Sequence, residues 1–188
     1  MRENALIESA RAGDPSAWEA LVQAHHEPVF RFAYLMLNDR ADADDVAQET
    51  FIRAYRSLGR FDVERRLRPW LLSIAANVAK NRLRSWGRYT AALGRWQQES
   101  SPPNVHMIDD FTAAQIEAGR LWEAVRRLRR EDQTMIYLRY FLEMPVDETA
   151  ESLGIAPGTV KSRLSRALGR LRELIERDFP DLAEPDGR

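Results

Sequence analysis

Basic, aromatic and amide side chains are concentrated in residues 51–88, where they could bind a polyanion that exposes its bases. This segment carries ten Lys and Arg residues against two carboxylates, whereas residues 1–50 carry four arginines against ten carboxylates. Phe61, Trp70 and Asn77 lie among the positive charges. Cationic groups hold phosphates, aromatic rings stack on bases and amides read base edges. The segment therefore predicts a local nucleic-acid site rather than a uniformly basic surface.

A second basic cluster begins at residue 157 and has the spacing of a helix-turn-helix. Ala150 and Gly154 stand four residues apart, so two helices can cross closely and the chain can leave the first helix with positive φ. Pro157 and Gly158 then start a second helix. Its apolar stripe leaves five hydroxyl and basic residues outside near the N-terminus, the end that such motifs insert in the major groove: Lys161, Ser162, Arg163, Ser165 and Arg166. An arginine here would read guanine edges and Lys161 would hold a phosphate, unless the segment is an ordinary helical hairpin with a charged face.

A metal-dependent hydrolase is the enzymatic alternative that the sequence offers, with His25, His26, Asp42, Asp44, Asp45 and Glu49 as its candidate ligands. Adjacent histidines project about 100° apart on a helix, so they do not chelate one ion as an i, i+4 pair would. The aspartates lack the glycine and terminal glutamate of a calcium loop. Because there is no cysteine, disulfides and thiolate zinc sites are excluded. We expect no catalytic residue, no metal and no cofactor.

Helical periodicity organises the residues that precede and carry the first basic cluster. Asp14 before Pro15 predicts a helix start, Pro28 ends that helix or starts the next, and Asn38 with Asp39 breaks the apolar face. Asp42 or Asp44 is expected to cap a third helix, with a buried stripe of Val46, Thr50, Ile52 or Phe51, Ala54 and Leu58. A loop over residues 60–68, ending at Pro69, leads to a fourth helix, with a buried stripe of Trp70, Leu71, Ile74, Ala75, Val78 and Leu83.

The chain is predicted to be entirely helical, because no segment alternates with period two over the length of a strand. Residues 89–112 lose periodicity and read GRWQQESSPPN in part, the composition of a flexible linker. The predicted organisation is a helical domain over 1–88, a linker over 89–114 and a helix-turn-helix domain over 115–188. Neither a signal peptide nor an apolar stretch of about 20 residues is found, so we expect a cytoplasmic protein with no membrane insertion.

Three segments give the chain a family resemblance: DADDVAQETFIRAYRSLGRF, RPWLLSIAANVAKNRLR and GIAPGTVKSRLSRALGRLR. In this order they resemble the extracytoplasmic-function (ECF) sigma factors of bacteria, over residues 12–86 and 115–176. The resemblance implies a non-catalytic specificity subunit that binds core RNA polymerase and promoter DNA. It also implies control by an anti-sigma protein.

The resemblance also implies which residues contact each partner. Asp45, Gln48 and Glu49 would dock on the coiled coil of the largest polymerase subunit, although the acids could simply complement a helix dipole. Phe61 and Asn77 would line a pocket for an extruded base of the minus-10 element, with Lys80, Asn81 and Arg84 nearby, and the helix of Lys161 to Arg166 would read the minus-35 element. Phe61 could otherwise be a core residue, and Trp70 is assigned to the core.

Some positions depart from the pattern of the family. Arg129, Arg130, Glu131 and Asp132 replace a turn that usually contains proline, Pro145 replaces a serine cap and Thr149 replaces an aliphatic residue. A conventional helix-turn-helix regulator that binds only duplex DNA is the main alternative function. It accounts for residues 145–176 but leaves Asp45 to Asn81 unexplained.

Overall fold

The computed structural model describes the backbone of residues 2–93 and 113–183 and the side chains of 3–86 and 119–182. Throughout these ranges the regular structure is helical, which confirms the predicted fold class. The chain divides into two units, with the main boundary between residues 103 and 104. Residues 94–112 of the predicted linker lie outside the described residues. No described helix has the length and hydropathy that a bilayer crossing requires.

Four helices and one short turn form the N-terminal unit. They are α1 (Arg2–Arg11), α2 (Pro15–Leu37), α3 (Arg40–Ser57), a 3-10 turn (Leu58–Arg60) and α4 (Leu67–Leu93). The start of α2 is as predicted, because an Asp14 side-chain oxygen accepts a hydrogen bond from the Ser16 amide at 2.9 Å. The end of α2 is also as predicted, since Asn38 has φ 55° and its amide bonds to the Tyr34 carbonyl at 2.7 Å.

Three predicted boundaries in this unit are wrong. Pro28 lies inside a continuous α2, whose buried face includes Leu21, Val29 and Phe32, so packing outweighs the local cost of the proline. Helix α3 is capped by Asp39, which accepts from the Asp42 amide at 2.8 Å, and not by Asp42 or Asp44.

The loop before α4 also ends earlier than predicted. Helix α4 begins at Leu67, which places Pro69 in its first turn. An amide there has no partner within the helix, so proline fits without losing a hydrogen bond.

Alanine residues let the helices of the N-terminal unit pack closely. Ala43, Ala47 and Ala54 on α3 and Ala75 and Ala79 on α4 are fully buried, with no exposed side-chain surface. Helix α3 packs against both α2 and α4, and α1 packs against α2. The core therefore holds α3 and α4 side by side and leaves one face of each exposed.

The segment between the 3-10 turn and α4 is anchored in the core at both ends. Phe61 is 6% exposed and Leu67 is 1% exposed, while Asp62, Glu64 and Arg65 between them are exposed. The ring centroid of Phe61 lies 4.6 Å from that of Trp70, which is half-buried rather than fully in the core as predicted.

The C-terminal unit contains the predicted pair of helices around Gly154. Its elements are α5 (Ala113–Arg126), α6 (Arg130–Ile136) with a π-helical continuation (Tyr137–Phe141), α7 (Val146–Leu153), α8 (Pro157–Asp178) and α9 (Pro180–Ala183). Gly154 has φ +63°, a conformation that glycine adopts without strain, and the Ile155 amide bonds to the Ala150 carbonyl at 3.0 Å. Val160, Ala167, Leu171 and Leu174 bury one face of α8. The opposite face is left outside.

Of residues 129–132, where the family pattern expects proline, Asp132 joins α6 to α8 by an ion pair. Both oxygens of Asp132 accept from Arg170, at 2.7 Å from Nε and 2.6 Å from a terminal nitrogen. Gln133 donates to the carbonyl of Arg126, the last residue of α5, and to that of Leu128, which follows the helix. This bidentate pair gives α8 a polar anchor in addition to its apolar stripe.

Candidate nucleic-acid and partner interfaces

Helix α3 presents an acidic and amide face to the solvent. Asp45 and Gln48 are exposed and Glu49 is half-buried. The side-chain oxygen Oε1 of Glu49 accepts from Arg53 Nε at 2.7 Å on the same helix. Positions three or four apart lie on one side of a helix, so Asp45 shares its side with Gln48 and Glu49.

An open groove of about 690 Å³ lies beside this acidic face. Sequence reasoning missed most of its lining, which comprises Trp18, Val22, His26, Asp44, Asp45, Gln48, Phe51, Ile52, Tyr55 and Arg56. Ring centroids of Trp18 and Tyr55 lie 5.2 Å apart. Ile52 is 39% exposed and Tyr55 is 51% exposed, whereas Phe51 takes the buried position that the sequence left open between Phe51 and Ile52. An apolar groove with carboxylates at its edge suits a partner surface that combines apolar and basic side chains.

Arg82 on α4 joins this acidic face to the neighbouring basic face. It donates to Asp42 Oδ1 at 2.5 Å and 3.0 Å and to Asp45 Oδ2 at 3.0 Å. The hydrogen bond to Asp42 raises the pKa of the Arg82 guanidinium, which stays protonated. Sequence separations of 37 and 40 residues kept this pairing out of reach of local patterns.

The exposed face of α4 carries four of the five predicted minus-10 residues. Asn77, Lys80, Asn81 and Arg84 are all exposed, at positions i, i+3, i+4 and i+7 of one helix. Their side chains make no hydrogen bond or ion pair to other described residues. This face therefore offers two amides and two cations to a ligand.

Phe61 differs from these four residues, because its ring is buried against Trp70. The exposed part of its loop starts at Asp62, where Oδ1 accepts from the Glu64 amide at 3.0 Å and the carbonyl accepts from the Arg65 amide at 3.0 Å. These bonds form a compact turn. The ring of Phe61 thus lies in the core and not on the exposed surface of the loop.

All five predicted residues of α8 are exposed near the start of the helix. They are Lys161, Ser162, Arg163, Ser165 and Arg166. The Ser162 hydroxyl donates to the Thr159 carbonyl at 3.2 Å, and Arg166 Nε donates to the Ser162 carbonyl at 3.2 Å. Within the described residues, Lys161 and Arg163 have no ion-pair partner, and no carboxylate occurs between residues 157 and 172. This face is ready for an anion without rearrangement.

The histidines of the alternative enzymatic site point to different surroundings. His25 is buried and its Nε2 lies 2.9 Å from Glu3 Oε1, whereas His26 is exposed and stacks with its ring 6.3 Å from that of Phe51. Among the described side chains, no group of three or more His, Asp and Glu could hold a metal ion. The geometry thus keeps the two histidines apart, as their adjacent positions on a helix predict.

Two ranges of the sequence match known families. Residues 21–89 match the family described as sigma-70 region 2, and residues 118–171 match the one described as sigma-70, region 4. Helix α1 precedes both ranges. The matches divide the chain in the same order as its two structural units.

Similar curated proteins extend over most of the chain. The ECF RNA polymerase sigma factor SigM of Mycobacterium tuberculosis is 33% identical over 176 residues, which cover 93% of this chain and 85% of SigM. The ECF RNA polymerase sigma factor BldN of Streptomyces coelicolor is 29% identical over 92% of this chain, and this chain spans 66% of BldN.

Two similar solved structures are complexes with partner proteins. CnrH, solved with the cytosolic domain of CnrY, has a TM-score of 0.70 and 26% identity, covering 95% of this chain and 99% of CnrH. The sigma factor RpoE of Bartonella quintana, solved with the anti-sigma factor NepR, has a TM-score of 0.64 and 25% identity, covering 85% of this chain and 97% of RpoE.

Proposed function

This chain belongs to the ECF RNA polymerase sigma factors, a non-enzymatic family that directs transcription initiation, and we propose that three of its surfaces divide that task. The placement of two unlike exposed faces side by side, on α3 and α4, carries this proposal. One face is acidic with an apolar groove, and the other is rich in cations and amides. Such a pair suits a protein partner and a nucleic acid held next to each other.

The proposed polymerase-binding surface consists of Asp45, Gln48 and Glu49 with the groove beside them. Its partner is the coiled coil of the largest polymerase subunit. Apolar contact in the groove would supply most of the affinity, because Ile52 and Tyr55 are large and exposed. The carboxylates would orient a basic partner and repel DNA from this face.

The proposed minus-10 surface consists of the exposed face of α4 and the loop before that helix. Lys80 and Arg84 would hold phosphates, while Asn77 and Asn81 would read a base extruded from the opened strand. Phe61 belongs to this surface as the support of the loop, because a ring that is 6% exposed has little area for stacking on a base. Capture of the base would offset its lost stacking, a cost of roughly a few kcal/mol.

The proposed minus-35 surface is the exposed N-terminal half of α8. Arg163 and Arg166 would read guanine edges in the major groove, and Lys161, Ser162 and Ser165 would hold the backbone. We assign the minus-10 and polymerase surfaces to a domain over residues 1–88 and the minus-35 surface to a domain over 115–188. Residues 89–114 would join them.

An anti-sigma protein is the proposed regulator of this factor. Support comes from RpoE, a similar protein whose structure contains the anti-sigma factor NepR. The groove on α3 is a suitable target, since a partner that fills it would compete with polymerase. We propose that the protein acts in the cytoplasm, where bacterial transcription takes place.

Reconstitution with core RNA polymerase tests this function. The full chain and the core enzyme would be mixed, promoters would be selected from a random library by run-off transcription, and opening would be followed by permanganate reactivity at minus 10. We expect promoter-specific opening that neither component gives alone. Duplex binding without association with the core enzyme would overturn the proposal and favour a conventional helix-turn-helix regulator.

A further inference from the structure

Arg11, the last residue of α1, reaches across to the segment that carries the exposed loop. Its Nε donates to the Leu58 carbonyl at 3.0 Å, and one terminal nitrogen donates to the Phe61 carbonyl. The other terminal nitrogen bonds to Glu8 at 2.7 Å. The side chain of Arg11 is 20% exposed, so these contacts are largely shielded from water. One guanidinium thus joins α1 to both ends of the 3-10 turn.

The two carbonyls that Arg11 binds lie just beyond the end of a helix, and that of Leu58 also accepts from the Phe61 amide at 3.1 Å. Helix α3 ends at Ser57, and the 3-10 turn Leu58–Arg60 follows it. Carbonyls at a helix C-terminus need an external donor, and a cation there also interacts favourably with the helix dipole. Because the guanidinium is planar and has five N–H groups, it can serve two carbonyls at once in a fixed geometry.

These contacts determine where the loop begins. Phe61 is held through its ring by Trp70 and through its carbonyl by Arg11. The next residue, Asp62, starts the compact turn of the exposed loop, and Leu67 buries the other end. Fixing the carbonyl of Phe61 also fixes the peptide plane that leads into Asp62. The direction of the loop is therefore set from α1.

We propose that Arg11 is a positioning residue for promoter recognition, which fixes the loop of residues 62–66 and thereby its selectivity for the bases of the minus-10 element. This inference rests on the proposed function of the loop and α4. Arg11 acts through the main chain and does not touch DNA. It extends the determinants of base selectivity to a helix that lies outside the matched sigma-70 regions.

The test compares Arg11→Gln and Arg11→Lys with a matched control, Glu8→Gln. The control neutralises Glu8, the ion-pair partner of Arg11, but leaves both carbonyl contacts in place. Lysine keeps the charge but lacks the planar fork, so Arg11→Lys should have an intermediate effect. Each full-length variant would be assayed with core polymerase on the preferred promoter and on templates substituted at single minus-10 bases. Core affinity and thermal unfolding would be measured in parallel.

We expect Arg11→Gln to reduce opening of the preferred promoter about fivefold to tenfold, since two hydrogen bonds from a charged donor are lost. The ratio of opening between preferred and substituted templates should fall towards one, while core affinity changes by less than about twofold. Glu8→Gln should behave as the unmodified protein does. A purely structural role would lower opening on all templates equally and leave this ratio unchanged, which would overturn the proposal.

Three further outcomes are informative. If Arg11→Gln does not fold, Arg11→Lys decides the matter, because an unchanged selectivity ratio in that variant overturns the proposal. If the unmodified protein and Asn77→Ala show the same lack of minus-10 selectivity, the proposed function of the loop and α4 fails, and the role of Arg11 fails with it. A selective unmodified protein with an Arg11 variant of equal selectivity overturns only the role of Arg11.

Discussion

The two helices proposed to bind DNA, α4 and α8, differ in how their surroundings control them. The exposed face of α4 adjoins a helix with opposite charge, and Arg82 connects the two through Asp42 and Asp45. The N-terminal half of α8 has no carboxylate in its own sequence, and its cations are exposed in the first turns. The α8 face is complete within one helix, whereas the α4 face depends on α1, α3 and the loop before it.

The two DNA surfaces use their buried residues differently. In the C-terminal unit the buried stripe of α8 and the Asp132–Arg170 pair hold a rigid helix, and selectivity lies in exposed side chains. In the N-terminal unit, buried groups such as the Phe61 ring and the Arg11 contacts shape the loop itself. A change in the N-terminal core should therefore alter recognition as well as stability.

Replacement of Phe61 by alanine should have the largest effect and tests whether the loop depends on the core. We expect a loss of about 3–5 kcal/mol in the unfolding free energy, because a buried ring in contact with Trp70 is removed. Asn77→Ala, on the exposed face of α4, should change stability by less than about 0.5 kcal/mol but still weaken promoter opening. Urea unfolding and permanganate reactivity would separate the two effects.

Phe61→Leu distinguishes a supporting role of Phe61 from direct stacking on a base, because leucine keeps apolar burial but cannot stack. Opening close to the unmodified level would favour the supporting role of Phe61. If Phe61→Leu is stable and yet fails to open promoters, the ring contacts the extruded base directly, and the contrast between buried and exposed determinants is lost.

Replacement of Arg163 and Arg166 by alanine tests the self-contained surface of α8. Each arginine that reads a guanine should contribute about 1–3 kcal/mol to duplex affinity. Each one that holds a phosphate should instead lower the slope of log affinity against log salt by about one. Fluorescence anisotropy with a minus-35 duplex over a salt series would distinguish these cases.

The matched control on α8 is Arg177→Ala. Arg177 is exposed at the far end of the same helix, where its Nε bonds to Asp178 at 2.7 Å. Arg177→Ala should leave both the affinity for the minus-35 duplex and the slope of log affinity against log salt nearly unchanged. Equal losses in Arg177→Ala and in the Arg163 and Arg166 variants would mean that α8 contributes only a diffuse positive field.

Local sequence patterns were sufficient for features that depend on neighbouring residues. The cap at Asp14, the turn at Gly154 and the start of α8 at Pro157 follow from residues within one helical turn. The exposed set from Lys161 to Arg166 follows from the helical period of α8. Each of these features depends on residues that are close in the sequence.

Features that depend on tertiary contacts were not predictable in the same way. Asp39, Asp42 and Asp44 are equally suitable caps by residue type, and only the fold selects Asp39. The bonds of Arg11 to Leu58 and Phe61 span 47 and 50 residues. The groove between Trp18 and Tyr55 likewise requires α2 to pack on α3. The polar contacts of the α3 and α4 faces were therefore visible only in the structure.

Replacement of Asp45 by alanine should have a smaller effect and tests whether the two faces of the N-terminal unit act separately. Asp45 is 61% exposed, so we expect core polymerase to bind about three- to tenfold more weakly, mainly through slower association at low salt. Arg82 should keep its place, because its closer contact is with Asp42. Glu19→Ala is the control, since Glu19 is exposed on α2 and its one side-chain hydrogen bond among the described residues is accepted from Gln23. A loss of base selectivity in Asp45→Ala with unchanged polymerase affinity would contradict the division of tasks.

Tyr137 should give the smallest effect at neutral pH and provides a probe of the C-terminal unit alone. Burial raises the pKa of this tyrosine from 10.0 to about 12, and its side chain has no exposed surface. The folded protein therefore holds the phenolic proton more tightly than the unfolded chain does, so this stabilisation is complete below pH 10 and is lost as the pH rises towards 12. At pH 11 the loss should be about 1 kcal/mol.

Tyr137→Phe should remove this pH-dependent loss. Unfolding followed from pH 9 to pH 11.5 would then show a smaller decline of the unfolding free energy in the variant than in the unmodified protein. An equal decline in both proteins would mean that Tyr137 is ionised without resistance from the fold, and that the core behind α8 is more open than its burial indicates.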